Sequence, residues 1–191
     1  MDSYQLKITL KHSKPPIWRR LLVPKDMPLC DLHVAIQISF GWENEHLYHF
    51  YKGREYFGPY ENYDPFGFGQ SAYDEEFDKM LLHELLSKVK EKVGYCYDFG
   101  DSWEHEILLE KIIPMDIRIK TPLCTAGKNA CPPEDCGGLW GYYNMLEIIN
   151  DPSNEDYEGM RDWIGLDEDE TFDPEYFNID EVNADLKDIK L

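Results

Sequence analysis

Residues 93–111 read VGYCYDFGDSWEHEILLEK, and their pattern decides the fold class. In the second half Trp103, His105, Ile107 and Leu109 point one way, and Glu104, Glu106, Leu108 and Glu110 the other. A period of two is a strand with one buried face. Residues 93–99 form a second, more apolar run. Gly100-Asp101-Ser102 between them is turn chemistry. The stretch is therefore an antiparallel hairpin, with His105 on the inward face beside Trp103 and Ile107.

Working outward, residues 4–10 alternate in the same way, with Leu6, Ile8 and Leu10 on one side. Residues 17–23 follow a turn at 12–16 and end at Pro24, which predicts a second hairpin. Residues 29–40 carry Leu29, Leu32, Ile36 and Phe40 at helical spacing, and Gly41 suits the position after a helix end. His33 beside that stripe reads as a packed, hydrogen-bonded histidine rather than a ligand. HLYHFY at 46–51 predicts a strand, 54–57 a short one, and 80–87 a short helix. The aromatic, Gly-rich stretch 58–73 reads as a loop over the core. Residues 112–120 read as a further strand or an extended lead. Helices are expected at 142–149, 154–164 and 180–186. Strands thus come first and helices later, which predicts one α+β domain over residues 1–191. Its sheet is expected to be mostly antiparallel or mixed. Both hairpins should share it, with the 29–40 helix as the central helix and a helical C-terminal part. The ββα start suggests a β-grasp-like order.

The formal net charge is −19 in 191 residues, and residues 151–191 carry fifteen Asp and Glu against three Lys and Arg. That field repels phosphate backbones and argues against direct nucleic-acid binding. The acidic segment is nevertheless expected to pack on the domain. Its Tyr157, Met160, Trp163, Ile164, Phe172, Tyr176, Phe177 and Leu186 are too apolar to leave in water. The start lacks a signal-peptide pattern, and no apolar run approaches the roughly 18 residues of a membrane span. A cytoplasmic location, with five reduced cysteines, is expected.

The most distinctive chemistry lies in residues 124–142, CTAGKNACPPEDCGGLWGY. Pro132 and Pro133 fix φ, and Gly137-Gly138 permits sharp turning. The stretch is expected to be a rigid loop rather than helix or strand. Cys131 and Cys136 are separated by four residues, near the spacing of a zinc knuckle, and Cys124 could be a third ligand. The fourth would come from Cys96, His49, His105 or a carboxylate. The alternative is three reduced cysteines in a packed loop, and no cofactor is assigned beyond zinc as a candidate. A cleft with Asp98, His105, Glu134 and Asp135 would suit acid–base work or a hard metal. Asp101 reads as a turn residue and a secondary candidate. Arg19 and Arg20 lie on opposite faces of a strand, and a bidentate pair from one of them to Glu134 or Asp135 is expected. Trp103 and Trp140 complete the candidate ligand-binding set. Of the two loop carboxylates, Glu134 is expected to face a ligand and Asp135 to staple the loop.

Together PPIWRRLLVP, LHVAIQISFGW, HLYHF, YDFGDSWEH, ACPPEDCGGLWGY and FDPEYFNIDEVN resemble the plasmid open-reading-frame-three-like domain family, named after a product of a root-inducing plasmid. The resemblance spans about residues 4–186. It implies no settled activity. Some members have been labelled transposon resolvases, which implies a role as an accessory protein of mobile elements. A serine recombinase needs an activated serine beside arginines, and Ser39, Ser71, Ser87, Ser102 and Ser153 have no arginine cluster in sequence.

The expected function is a binding or interaction module for a protein or small ligand. Its polar site is formed by the CPPEDCGG loop against the YDFGDSWEH hairpin. The alternative is a metal-dependent hydrolase or nuclease using Asp98, His105, Glu134 and Asp135.

Overall fold

A computed structural model describes residues 2–61, 72–114 and 121–189. In chain order the elements are β1 (Asp2–Leu10), β2 (Trp18–Pro24), α1 (Leu29–Phe40), β3 (Tyr48–Lys52), β4 (Glu55–Phe57), β5 (Tyr60–Glu61) and β6 (Ala72–Tyr73). They continue with α2 (Leu82–Leu85), β7 (Lys92–Tyr97), β8 (Trp103–Pro114), β9 (Leu123–Lys128), α3 (Gly138–Ile149), α4 (Tyr157–Trp163) and α5 (Ile179–Leu186). Seven strands form one sheet in the order β4-β3-β7-β8-β1-β2-β9, and β5 pairs with β6 alone. Every pairing among the described residues is antiparallel, so of the two expected sheet types the antiparallel one is realised.

Both hairpins lie in this sheet, joined through β1 and β8 with Ile8 opposite Ile107 and Leu10 opposite His105. The alternation predicted for β8 is the observed burial, with Trp103, His105, Ile107 and Leu109 inside. Leu29, Leu32, Ile36 and Phe40 of α1 share one core with Leu6, Ile8, Leu21, Tyr95 and Ile107. Helix α1 ends at Gly41, whose φ of 80° allows its N–H to reach the Gln37 carbonyl. His33 is buried, stacked on Tyr48 and bonded to Tyr95 and Asn44, the packed, hydrogen-bonded histidine expected there.

The cysteine-rich stretch is only partly a loop. Its start, Leu123–Lys128, is the edge strand β9, paired with β2. Its end enters α3 at Gly138, four residues before the expected helix start. The open edge of β9 is covered at Cys124, where the Asn183 side chain on α5 accepts from the Cys124 N–H at 2.8 Å and donates to its carbonyl at 2.9 Å. One amide thus stands in for a neighbouring strand.

In the acidic segment, Leu186 is fully buried, and Met160, Ile164, Phe172 and Phe177 pack against the core. Trp163 and Tyr176 are instead about half exposed. Arg161 donates to the carbonyls of Asp167, Glu168 and Glu170, which wraps the acidic loop around one guanidinium. Most of the aromatic, Gly-rich stretch expected as a loop (62–71 of 58–73) and most of the lead into β9 (115–120) fall outside the described residues. Among the described residues no helix is long and apolar enough to cross a membrane.

Candidate functional site

The CPPEDCGG loop is held by three contacts, two of them to the hairpin. Tyr97 OH donates to Glu134 Oε1. The Gly137 N–H donates to Asp101 Oδ2 at 3.1 Å. Behind these, the Trp42 indole N–H donates to the Pro132 carbonyl at 3.0 Å. The double glycine is needed for this closure. Gly138 has φ of 66°, and a Cβ there would sit 2.6 Å from the Asp101 carbonyl oxygen. Any side chain would push the loop off the hairpin turn.

Tyr97 OH also accepts from the Glu45 N–H at 3.1 Å, and Glu134 Oε2 accepts from the Glu43 N–H at 3.0 Å. Three segments far apart in sequence therefore meet at one node of Glu45, Tyr97 and Glu134. The next residue in each segment is His46, Asp98 or Asp135. Fixing the node sets where these three begin, and they converge. His46 Nε2 lies 3.1 Å from Asp135 Oδ1 and 3.9 Å from Asp98 Oδ2. The Nε2 atom is shut off from solvent and makes no hydrogen bond of acceptable geometry, even to Asp135. The other oxygen of Asp98 accepts from the Gly100 N–H at 2.8 Å, and the Asp98 N–H donates to the Leu47 carbonyl. Asp98 and Asp135 both hold left-handed backbone, with φ of 53° and 57°. Aspartate tolerates this better than most residues. Asp98 is buried, whereas the Asp135 side chain is 70% exposed. No Lys or Arg forms an ion pair with Asp98 or Asp135 among the described residues.

The expected site changes membership accordingly. Asp98 and Asp135 meet, and Asp101 and Glu134 hold the loop beside them. His105 does not join them. It is fully buried, packs against Phe40, Trp42 and Tyr95, and donates from Nδ1 to the Trp103 carbonyl. Burial holds its pKa down at about 3. Trp103 is buried beside Trp42, and Trp140 stands 80% exposed on the first turn of α3. The roles of the two loop carboxylates are the reverse of those expected. Glu134 is the staple, and Asp135 faces outward. Glu134→Ala is expected to lower the unfolding free energy by about 1–3 kcal/mol, through the unpaired Tyr97 hydroxyl and Glu43 amide. Asp135→Asn, which keeps a side chain that tolerates the left-handed backbone, should change it by less than about 0.5 kcal/mol. Urea unfolding of the two variants separates them, and equal shifts would refute the division of roles.

Among the described residues no cysteine belongs to a group of three potential metal ligands with ligand atoms within 4.8 Å of one another, and the single such trio is His46, Asp98 and Asp135. Cys124, Cys131 and Cys136 are free thiols, and the Cys124 and Cys136 sulfurs point at the carbonyls of Ala126 and Gly138. Burial pushes the Cys131 thiol well up and that of Cys136 up to about 12. The other proposed fourth ligands lie elsewhere. Cys96 is buried on β7, and His49 packs with Phe99 and Tyr56.

Neither arginine reaches the loop carboxylates. Arg20 makes its bidentate pair with Glu110, at 2.6 and 3.0 Å. It borders a cavity of about 580 Å³ with Gln5, Lys90 and Lys111, toward the far end of β8 from the hairpin turn. Arg19 turns inward and donates to backbone carbonyls. His46 was missed because its only local signal was a place in HLYHFY, where it read as one face of a strand. The strand starts two residues later, at Tyr48.

The chain matches the family model described as plasmid pRiA4b ORF-3-like protein over residues 2–181. It is 33% identical over 186 residues to the uncharacterized protein y4hQ of Sinorhizobium fredii (strain NBRC 101917 / NGR234), covering 97% of this chain and 91% of that protein. It is also similar to a crystal structure of a protein of unknown function, MM3350 from Methanosarcina mazei Go1. The TM-score is 0.76 at 37% identity, with 94% of this chain and 96% of that chain covered.

Proposed function

The chain belongs to the plasmid pRiA4b ORF-3-like family, and from that premise we propose that it is a binding module for a positively charged ligand. The ligand is held where the CPPEDCGG loop meets the YDFGDSWEH hairpin. The observation that supports this is the division of labour in the seam. Glu134, Tyr97, Asp101 and Trp42 are taken up in closing the loop, whereas Asp98 and Asp135 converge on the single ring nitrogen of His46, and among the described residues no Lys or Arg pairs with either aspartate. Two carboxylates a few ångströms apart repel each other, and a bound cation removes that repulsion.

The test is an amide-shift titration of the labelled chain with divalent metal salts and, separately, with organic cations such as spermidine or arginine amide. Saturable shifts are expected at residues 45–48, 97–102 and 131–138 with at least one class, and Asp135→Asn should abolish them. Absence of saturable shifts there with every probe would overturn the reading.

A metal-dependent hydrolase or nuclease is the second reading. The exposure of Asp135 favours it, because a group held there keeps a side open to a substrate. It would work through His46, Asp98 and Asp135. Metal-dependent cleavage of a simple phosphodiester that disappears in Asp98→Asn would place it first.

A further inference from the structure

Resting on the seam being a cation-binding site, we infer that its ligand is a single divalent transition-metal ion of the manganese-to-zinc series, coordinated by His46 Nε2, Asp98 Oδ2 and Asp135 Oδ1. Metal–ligand bonds of about 2.0–2.2 Å put neighbouring ligand atoms about 3–3.5 Å apart. The His46–Asp135 separation of 3.1 Å already fits. The His46–Asp98 separation of 3.9 Å closes with a shift of about half an ångström. Asp135, largely exposed, is free to give on its side.

The donor set points to the metal class. An imidazole nitrogen among the ligands favours zinc, iron, cobalt and nickel over calcium and magnesium, which take six or more oxygens. Two hard carboxylate oxygens and no thiolate turn the site away from copper(I) and from a cysteine zinc knuckle.

The support around the three ligands is what a coordination site needs. Each follows directly on a residue of the Glu45–Tyr97–Glu134 node, so the ligands are positioned before an ion arrives. The second oxygen of Asp98 is held by the Gly100 N–H, which fixes the carboxylate and leaves Oδ2 for the metal. Three protein ligands from three segments leave the remaining positions to water or a substrate atom.

The experiment uses the full chain, stripped with a chelator and dialysed, titrated with Zn(II), Mn(II) or Co(II) by calorimetry. Co(II) absorption reads the coordination, and Mg(II) and Ca(II) serve as comparisons. One ion per chain is expected, with a higher melting temperature in its presence. Asp135→Asn should weaken binding at least tenfold while melting like the parent chain without metal. The pair His46→Gln and Asp98→Asn should each do the same, and circular dichroism reports whether they remain folded. Alanine at Cys124, Cys131 or Cys136 should leave affinity unchanged. Tighter binding of Ca(II) or Mg(II), or full affinity in Asp135→Asn, would overturn the inference. If spermidine or arginine amide saturates the seam and no metal does, the metal assignment falls and the cation-binding reading stands. If nothing binds, both fall.

Discussion

Lowering the pH from 7 to 5 is expected to cost the folded chain on the order of 3–4 kcal/mol through two buried histidines. Burial holds the pKa of His33 down at about 4, against a hydrogen bond with Asn44 that works the other way. Burial likewise holds His105 at about 3, opposed by its bond to the Trp103 carbonyl. That bond places the proton of His105 on Nδ1 and leaves Nε2 buried without a partner. A second proton would put an unpaired charge among Phe40, Trp42 and Tyr95. In the unfolded chain both rings take up a proton near pH 6.5. Between about pH 6.5 and 4 the unfolded state therefore binds more protons, and stability falls as pH falls. The contribution is complete above pH 6.5 and gone once the pH has dropped through about 4 for His33 and about 3 for His105. His49, whose pKa burial also lowers, adds to the loss with the same sign in this window, whereas Glu91 and Glu110, lowered in the fold by hydrogen bonds, act below the usual carboxylate value, outside it. Urea unfolding at the two pH values measures the loss. His105→Phe should cut the pH-dependent loss by about 2 kcal/mol, and a variant that loses as much as the parent chain would refute the assignment.

Arg19→Met is expected to lower the unfolding free energy by about 3–5 kcal/mol. The guanidinium is 4% exposed and has no carboxylate partner among the described residues. Instead Nε donates to the Ser39 carbonyl at 2.8 Å, and Nη1 donates to the carbonyls of Trp18, Lys128 and Asn129 at 2.9–3.1 Å. Its faces meet Phe177 at 4.5 Å and Phe40 at 5.2 Å. One side chain therefore ties β2 to the end of α1, the end of β9 and the C-terminal segment. Methionine keeps most of the volume but strands these acceptors away from water. Arg19→Lys should fall between the two, since one ammonium cannot match the fork of a guanidinium. Melting and urea curves of both variants decide it. A loss below about 1 kcal/mol for Arg19→Met would mean that water reaches the carbonyls.

Burying one face of a strand or helix is a local constraint, and it leaves a local record. The alternation of β1 and β8, the stripe of α1 and the glycine that ends it were therefore legible, and with them the α+β class and the shared sheet. Strand β9 left no record, because LCTAGK has no alternation of its own and is held by β2 and by Asn183 on α5. The candidate site depended on tertiary structure almost entirely. The same inward alternation that placed His105 on the buried face of β8 removed it from any cleft. Nothing local separates Glu134 from Asp135. Tyr97, 37 residues away, takes the first and leaves the second outward. Glu45, 52 residues from Tyr97, carries His46 to the same place. The sequence by itself determined which faces are buried. Only the tertiary structure decided which polar groups meet, because that depends on contacts between segments whose separation along the chain no local pattern encodes.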